Sequence, residues 1–111
     1  MSGNQRRFLR KMLQVDFRAK DAQGAGQLQF AGADLSAGGT FLKSDLLFEQ
    51  GEGFSLEFRV PGVPRLMRAQ ARVAWVRRFP SEEEPAGMGI EFLTMSEEDR
   101  SVLVRYLETL T

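Results

Sequence analysis

The sequence predicts a mainly β fold, a six-stranded antiparallel β-barrel with a C-terminal α-helix. Three observations predict it. Apolar and polar residues alternate with a period of two along most of the chain, turn-forming residues separate these segments, and convincing helical periodicity occurs only near the C-terminus. The short connections favour antiparallel pairing. Six such strands, each with one apolar face, close most economically into a small barrel.

The strands are predicted from their alternation. Residues 54–60 are typical, because every second residue from Phe54 to Val60 is apolar and the residues between them are not. A short strand is predicted where Phe41 and Leu42 follow a pair of glycines. In chain order the predicted strands are residues 13–18, 27–30, 40–43, 54–60, 67–75 and 88–92. The connections between them are rich in Gly, Pro and Asp, as turns require.

The long fifth strand has two different faces. Its apolar face ends at Trp75, which is therefore predicted to lie in the core rather than to contact a ligand. The stretch 65–78 holds five arginines and no acidic residue. We expect Arg72, Arg77 and Arg78 to be solvated, although an auxiliary phosphate contact from this strand stays open. The acidic residues at 81–84 are predicted to form a solvated hairpin tip.

The C-terminal segment carries the signals of an α-helix. Ser96 is a good N-cap, and three acidic residues follow it, where negative charge is favourable at a helix N-terminus. Asp99 occupies the third helical position of a capping-box-like pattern. An apolar stripe that would pack on the barrel is formed by Val102, Leu103, Tyr106, Leu107 and Leu110.

The composition excludes several classes of protein. The chain has 111 residues, no Cys, no His and a net charge of zero. A single small domain without these residues has no disulfides, no thiolate nucleophile, no ordinary zinc site and no His-based acid–base catalysis. No apolar stretch is long enough to span a membrane, and the polar N-terminus is unlike a signal peptide. We therefore expect a cytoplasmic protein that is not an enzyme and does not insert into a membrane.

Two short motifs stand out from this background. The first, Arg6 to Arg10, reads R-x-x-x-R and precedes the first strand, within a basic stretch of residues 1–20. The second, Asp34 to Gly39, reads D-x-S-x-x-G and is predicted to lie between the second and third strands. Each motif alone is common. Two Arg-rich segments in a neutral protein indicate a local anion site rather than a nucleic-acid-coating surface.

Together the motifs resemble those of the PilZ domain, a bacterial receptor module for the second messenger cyclic di-GMP. The similarity extends to residues 34–42, to residues 73–76 at the end of the fifth strand, to residues 87–92 and to the terminal helix. It covers about residues 6–110. The chain is particularly similar to short, single-domain PilZ proteins of delta-proteobacteria, which implies a PilZ-type barrel.

The resemblance also implies a binding site for cyclic di-GMP and no catalytic residue, metal ligand or cofactor. The implied binding residues are Arg6, Arg10, Asp34, Ser36 and Gly39, with Arg7 as an auxiliary contact. The chemistry is consistent, because arginine binds phosphate bidentately and stacks on flat rings, while a carboxylate accepts from the N1–H and N2 amino group of guanine. The Ser36 hydroxyl can donate or accept, and Gly39 allows a tight turn and a close approach of the base.

These expectations define a receptor with two parts. Residues 1–12 are predicted to be a flexible arm, and residues 13–111 the barrel with its helix, a single domain in all. Binding would close the arm and present a changed surface to an unidentified effector protein, with motility, exopolysaccharide production or a related process as the output. The oligomeric state, the affinity and the number of bound nucleotides stay open.

Other functions compete with this hypothesis. The main alternative is a PilZ-like adaptor that binds a protein but no nucleotide, against which the intact motifs argue. A barrel that binds single-stranded nucleic acid would need exposed aromatic residues among basic ones, whereas most Phe residues here share a face with Leu and Val. An enzyme would need paired carboxylates in a cleft, and the acidic residues instead cluster at 81–84 and at the helix start.

Overall fold

The computed structural model describes residues 11–20 and 27–110 and contains six strands and one helix. The elements are β1 Val15–Lys20, β2 Gln27–Ser36, β3 Gly39–Lys43, β4 Gly53–Phe58, β5 Met67–Arg77, β6 Gly87–Met95 and α1 Glu97–Glu108. The strands form a closed antiparallel barrel in the order β1-β2-β3-β6-β5-β4, with β4 paired back to β1. The predicted fold class is confirmed.

The barrel interior is filled by the apolar face of each strand. Burial alternates along β1 and along most of β5, as the sequence pattern predicts. The Phe17 and Phe58 rings lie 4.8 Å apart, and Phe58 stacks on Phe92 at 5.9 Å. Burial of such side chains is the main source of stability in a domain of this size.

The alternation in β5 ends before the strand does. Val73 pairs with Ile90 and Trp75 pairs with Gly89, the neighbour of Ile90 on β6. Two steps along β5 therefore match one step along β6, and Ala74 is an extra residue in the ladder. Such a β-bulge reverses the face on which the following side chains lie. Trp75 is consequently 44% exposed, and its predicted place in the core is wrong.

The helix covers one end of the barrel. It follows β6 directly, and Leu103 and Leu107 are buried in the core cluster, with Val102 and Tyr106 packed against it. Leu110, the last residue of the predicted stripe, is 38% exposed. Ser96 caps the helix, because its Oγ accepts a hydrogen bond from Asp99 N at 3.0 Å. No helix in the described part of the chain has the length and apolar character to cross a membrane.

Candidate functional site

One cross-strand row brings together the residues of the candidate site. Asp34 of β2 pairs with Phe41 of β3, Phe41 pairs with Gly89 of β6, and Gly89 pairs with Trp75 of β5. Neighbouring strands lie about 4.8 Å apart. The row therefore places the Asp34 carboxylate, two aromatic rings and a glycine side by side on the outer surface of the barrel.

Two β-bulges create this row. Gly32 pairs with Leu42 and Asp34 with Phe41, so Ala33 is an extra residue in β2, as Ala74 is in β5. Without the first bulge Ala33 rather than Asp34 would oppose Phe41. Bulges re-aim side chains and are frequent beside functional sites.

The aromatic pair packs over the glycines of β6. Phe41 and Trp75 stack with ring centroids 5.4 Å apart and an interplanar angle of 23°. A Cβ at Gly89 would overlap the Trp75 indole, and one at Gly87 would overlap the Phe41 ring and the Leu42 carbonyl oxygen. Only hydrogen at these two positions lets the rings lie flat against the sheet, which explains the Gly-x-Gly sequence.

Arg77 lies over both rings. Its guanidinium carbon is 5.2 Å from the Phe41 centroid and 5.1 Å from the Trp75 centroid, within the range of cation–π interactions. Arg77 Nη1 donates to the Pro85 carbonyl at 3.1 Å, and Nη2 lies 3.4 Å from a carboxylate oxygen of Glu84. The guanidinium is thus fixed by rings on one side and by the β5–β6 connection on the other.

These side chains line a cavity of about 650 Å³. This volume is within the range of about 300–1,000 Å³ typical of ligand pockets. Its lining comprises Met12, Ala33, Asp34, Thr40, Phe41, Ala74, Trp75, Arg77, Glu83, Glu84, Pro85, Gly89 and Ile90. It combines flat rings, a cation and carboxylates, groups that suit a planar ligand carrying both hydrogen-bond donors and negative charge.

The D-x-S-x-x-G motif was predicted to lie between the second and third strands, but most of its residues belong to the strands themselves. Asp34 and Ser36 belong to β2, Gly39 begins β3, and only residues 37–38 form the turn. Asp34 Oδ1 accepts from Phe41 N at 2.9 Å, and the Asp34 carbonyl accepts from Thr40 Oγ1 at 2.6 Å. Because a carboxylate can accept about four hydrogen bonds, the Phe41 contact is compatible with additional donors from a ligand.

Ser36 is fully buried, with 0% of its surface exposed. Its Oγ accepts from Gly38 N and Gly39 N, both at 3.1 Å, and donates to the Gly39 carbonyl at 3.3 Å. The hydroxyl therefore satisfies the backbone of the turn and holds its shape. Ser36 supports the end of β2 through the backbone of the turn, whereas Asp34 lines the cavity.

Gly39 is required by a close approach and not by a positive φ. Among the described residues, positive φ occurs at Gly51 and Gly62. A Cβ at Gly39 would overlap the carbonyl oxygen of Ile90 on β6. The last residue of the motif thus allows β3 to pair closely with β6, which carries the central glycine of the cross-strand row.

The residue that follows the first motif, Lys11, forms a β-bridge with Leu35, which lies within the second motif on β2. Lys11 N donates to the Leu35 carbonyl and Leu35 N donates to the Lys11 carbonyl, both at 3.0 Å. Met12, which is 84% exposed, then contributes to the cavity lining. Arg6, Arg7 and Arg10 lie outside the described residues.

Trp75, Arg77 and Glu84 are among the lining residues that the sequence analysis did not predict as site residues. Arg77 is partly buried rather than solvated, and Glu84 contacts it instead of lying only at a hairpin tip. Arg72 and Arg78 are exposed, as expected. The available signal was the Gly-x-Gly of β6, because glycines opposite large aromatic residues indicate rings lying across the sheet.

The other ion pairs of the described strands lie outside this cavity. Glu57 of β4 lies between Arg18 and Arg68, and the hydrogen bond from Arg68, at 2.9 Å, lowers the pKa of this carboxyl. Arg72 pairs with Glu91 at 2.9 Å. No group of three or more acidic side chains in the described segments could hold a metal ion.

The fold and this cavity define a small barrel with a candidate ligand pocket on its outer wall. The PilZ domain family model matches residues 4–109, and the chain belongs to this family. No curated protein sequence matches it significantly.

Three solved structures show the same fold. The Bacillus subtilis inhibitor of motility MotI/DgrA has a TM-score of 0.78 and 21% identity, over 93% of this chain and 49% of that one. YcgR from Escherichia coli in complex with c-di-GMP has a TM-score of 0.74 and 20% identity, over 94% and 45%. The PilZ domain of YcgR with c-di-GMP has a TM-score of 0.68 and 20% identity, over 94% and 89%. The chain therefore spans about half the length of the first two.

Proposed function

We propose that this protein is a non-enzymatic receptor for cyclic di-GMP. The observation that carries the proposal is that Asp34, of the D-x-S-x-x-G motif, lines a cavity whose lining continues into Met12, just after the R-x-x-x-R motif. Membership of the PilZ family and the c-di-GMP complexes of YcgR support it.

Each motif has its own part in binding. The arginines of the arm, Arg6 and Arg10 with Arg7 as an auxiliary, bind the phosphates and stack on the bases. Asp34 accepts from the guanine N1–H and N2 amino group. Ser36 and Gly39 keep the end of β2 and the β3–β6 pairing in the shape that presents Asp34.

Binding is coupled to a change of surface. Residues 1–12 act as an arm that closes over the ligand, and residues 13–111 form the domain on which it closes. The pairing of Lys11 with Leu35 supports this coupling, because it joins the arm to the strand that carries Asp34. The altered surface then binds an effector protein in the cytoplasm, in motility, exopolysaccharide production or a related process.

Calorimetric titration with cyclic di-GMP tests this function, with GTP and cyclic di-AMP as controls. Saturable binding of cyclic di-GMP, clearly tighter than that of either control, is the expected result. Heat indistinguishable from that of buffer at high micromolar ligand would contradict the proposal and favour an adaptor that binds no nucleotide.

A further inference from the structure

We propose that Arg77 is a further ligand-binding residue of the cavity, and that the Glu84 carboxylate competes with a ligand phosphate for it. This inference rests on the proposed function, since it takes cyclic di-GMP as the ligand. It assigns to β5 and the β5–β6 connection a part in binding that neither sequence motif provides.

The contacts of Arg77 divide into fixed and replaceable ones. The stacking on Phe41 and Trp75 and the hydrogen bond to the Pro85 carbonyl involve ring faces and backbone. The contact with Glu84 is the replaceable one, because its 3.4 Å separation is long for a charge-assisted hydrogen bond, for which about 2.7–2.9 Å is usual. Loss of Glu84 would leave the guanidinium in place.

The difference in exposure between the two side chains favours replacement of the Glu84 carboxylate by a ligand phosphate at Arg77. The Arg77 side chain is 26% exposed, whereas that of Glu84 is 63% exposed. Releasing a largely hydrated carboxylate to water costs little, and exposed ion pairs of this kind contribute little to stability. A phosphate that enters the cavity can instead form bidentate hydrogen bonds with a guanidinium already held in place.

The position of Glu84 is defined by its own turn. Ser81 N donates to the Glu84 carbonyl at 2.8 Å, and Glu84 N donates to Ser81 Oγ at 3.1 Å. This turn places Glu84 at the cavity, whereas Glu82 in the same turn is exposed and is not a lining residue. Glu82 therefore provides a control for the general effect of removing one negative charge from the turn.

The test measures cyclic di-GMP affinity by calorimetry and by quenching of Trp75, the only tryptophan of the chain. Glu84→Gln should strengthen binding by about 1.5- to 5-fold, the effect expected of one exposed ion pair, and Glu82→Gln should change it less. Arg77→Ala should weaken binding by about tenfold or more. Arg72→Ala, which removes an exposed arginine of the same strand, is its control and should have a small effect.

The double variant Arg77→Ala/Glu84→Gln separates competition from a general charge effect. If Glu84 acts through Arg77, the gain from Glu84→Gln disappears in the Arg77→Ala background. A gain that persists there, an equal gain from Glu82→Gln, or an Arg77→Ala variant that binds like wild type would overturn this inference alone. Absence of binding by wild type and by Glu84→Gln would overturn the proposed function as well.

Discussion

At the scale of single residues, Asp34 and Ser36 illustrate how one short motif serves two purposes. Both lie near the end of β2, but Asp34 lines the cavity while Ser36 is fully buried behind the turn. The hydroxyl of Ser36 accepts hydrogen bonds from two backbone N–H groups of the turn, those of Gly38 and Gly39. Its contribution is therefore to stability and to the position of Asp34.

Ser36→Ala should lower the free energy of unfolding by about 1–3 kcal/mol, because it removes the buried hydroxyl to which Gly38 N and Gly39 N donate. Urea denaturation measures the change. Ser55→Ala is the matched control, since the Ser55 hydroxyl bonds to the exposed Gln70 side chain and its loss should change stability by less than about 0.5 kcal/mol. Equal losses for the two variants would contradict the role assigned to Ser36.

Arg10→Ala should weaken cyclic di-GMP binding by about ten- to one-hundred-fold, the effect expected from losing a charge-assisted bond to phosphate. Arg68→Ala is the control, because Arg68 is 70% exposed and pairs with Glu57 on the outer face of β4 and β5. Arg68→Ala should weaken the free energy of cyclic di-GMP binding by only a few tenths of a kcal/mol. A larger effect at Arg68 than at Arg10, measured by calorimetry, would show that the site lies elsewhere.

At the scale of elements, Asp99 fastens the helix to the barrel. Its carboxylate accepts from Arg65 Nε at 2.6 Å and from Arg68 N at 3.2 Å, at the start of β5. Burial acts to raise the pKa of Asp99, but these hydrogen bonds and the Arg65 charge outweigh it and lower the pKa. The helix is thus held by a partly buried carboxylate as well as by Leu103 and Leu107.

Acid should therefore loosen the helix. A carboxyl whose pKa is lowered by folding stabilises the folded state above its unfolded pKa, about 3.9, and this contribution disappears as the pH falls through the folded pKa. Asp99→Asn should lower the free energy of unfolding by about 1.5–3 kcal/mol at pH 7 and by progressively less as the pH falls below about 3.9. Urea denaturation across this range tests it, with the exposed Asp16→Asn as control. A cost independent of pH would be the contrary result.

The elements also show how far sequence reasoning extends. Alternation predicted five of the six strands, because in each of them every second residue is apolar and faces the core, and the glycine pair before Phe41 indicated the sixth. It did not predict the bulges at Ala33 and Ala74, since an extra residue in a ladder leaves little mark on composition. The motif identified Asp34, but Trp75 and Arg77 depend on the bulge in β5 and on pairing with β6, which one sequence does not specify.

At the scale of the whole molecule, charge and cavity belong together in this account. Residues 1–20 hold six basic residues against one acidic residue, while the cavity contains carboxylates from β2 and from the β5–β6 connection. On our proposal the arm provides the positive charge that binds phosphate, and the barrel provides the acceptor that reads the base. Affinity and base selectivity should therefore depend on different parts of the chain.

The most direct test of this division is the affinity of three proteins for two nucleotides at one salt concentration. Wild type, Arg10→Ala and Asp34→Ala are each titrated with cyclic di-GMP and cyclic di-AMP, and thermal unfolding checks that both variants are folded. Adenine presents an acceptor at N1 where guanine presents a donor, so Asp34 should disfavour it. Arg10→Ala should weaken the binding of both nucleotides and keep the ratio of their affinities near that of wild type. Asp34→Ala should weaken the binding of cyclic di-GMP and reduce its preference over cyclic di-AMP. Full guanine preference in Asp34→Ala would contradict the central claim.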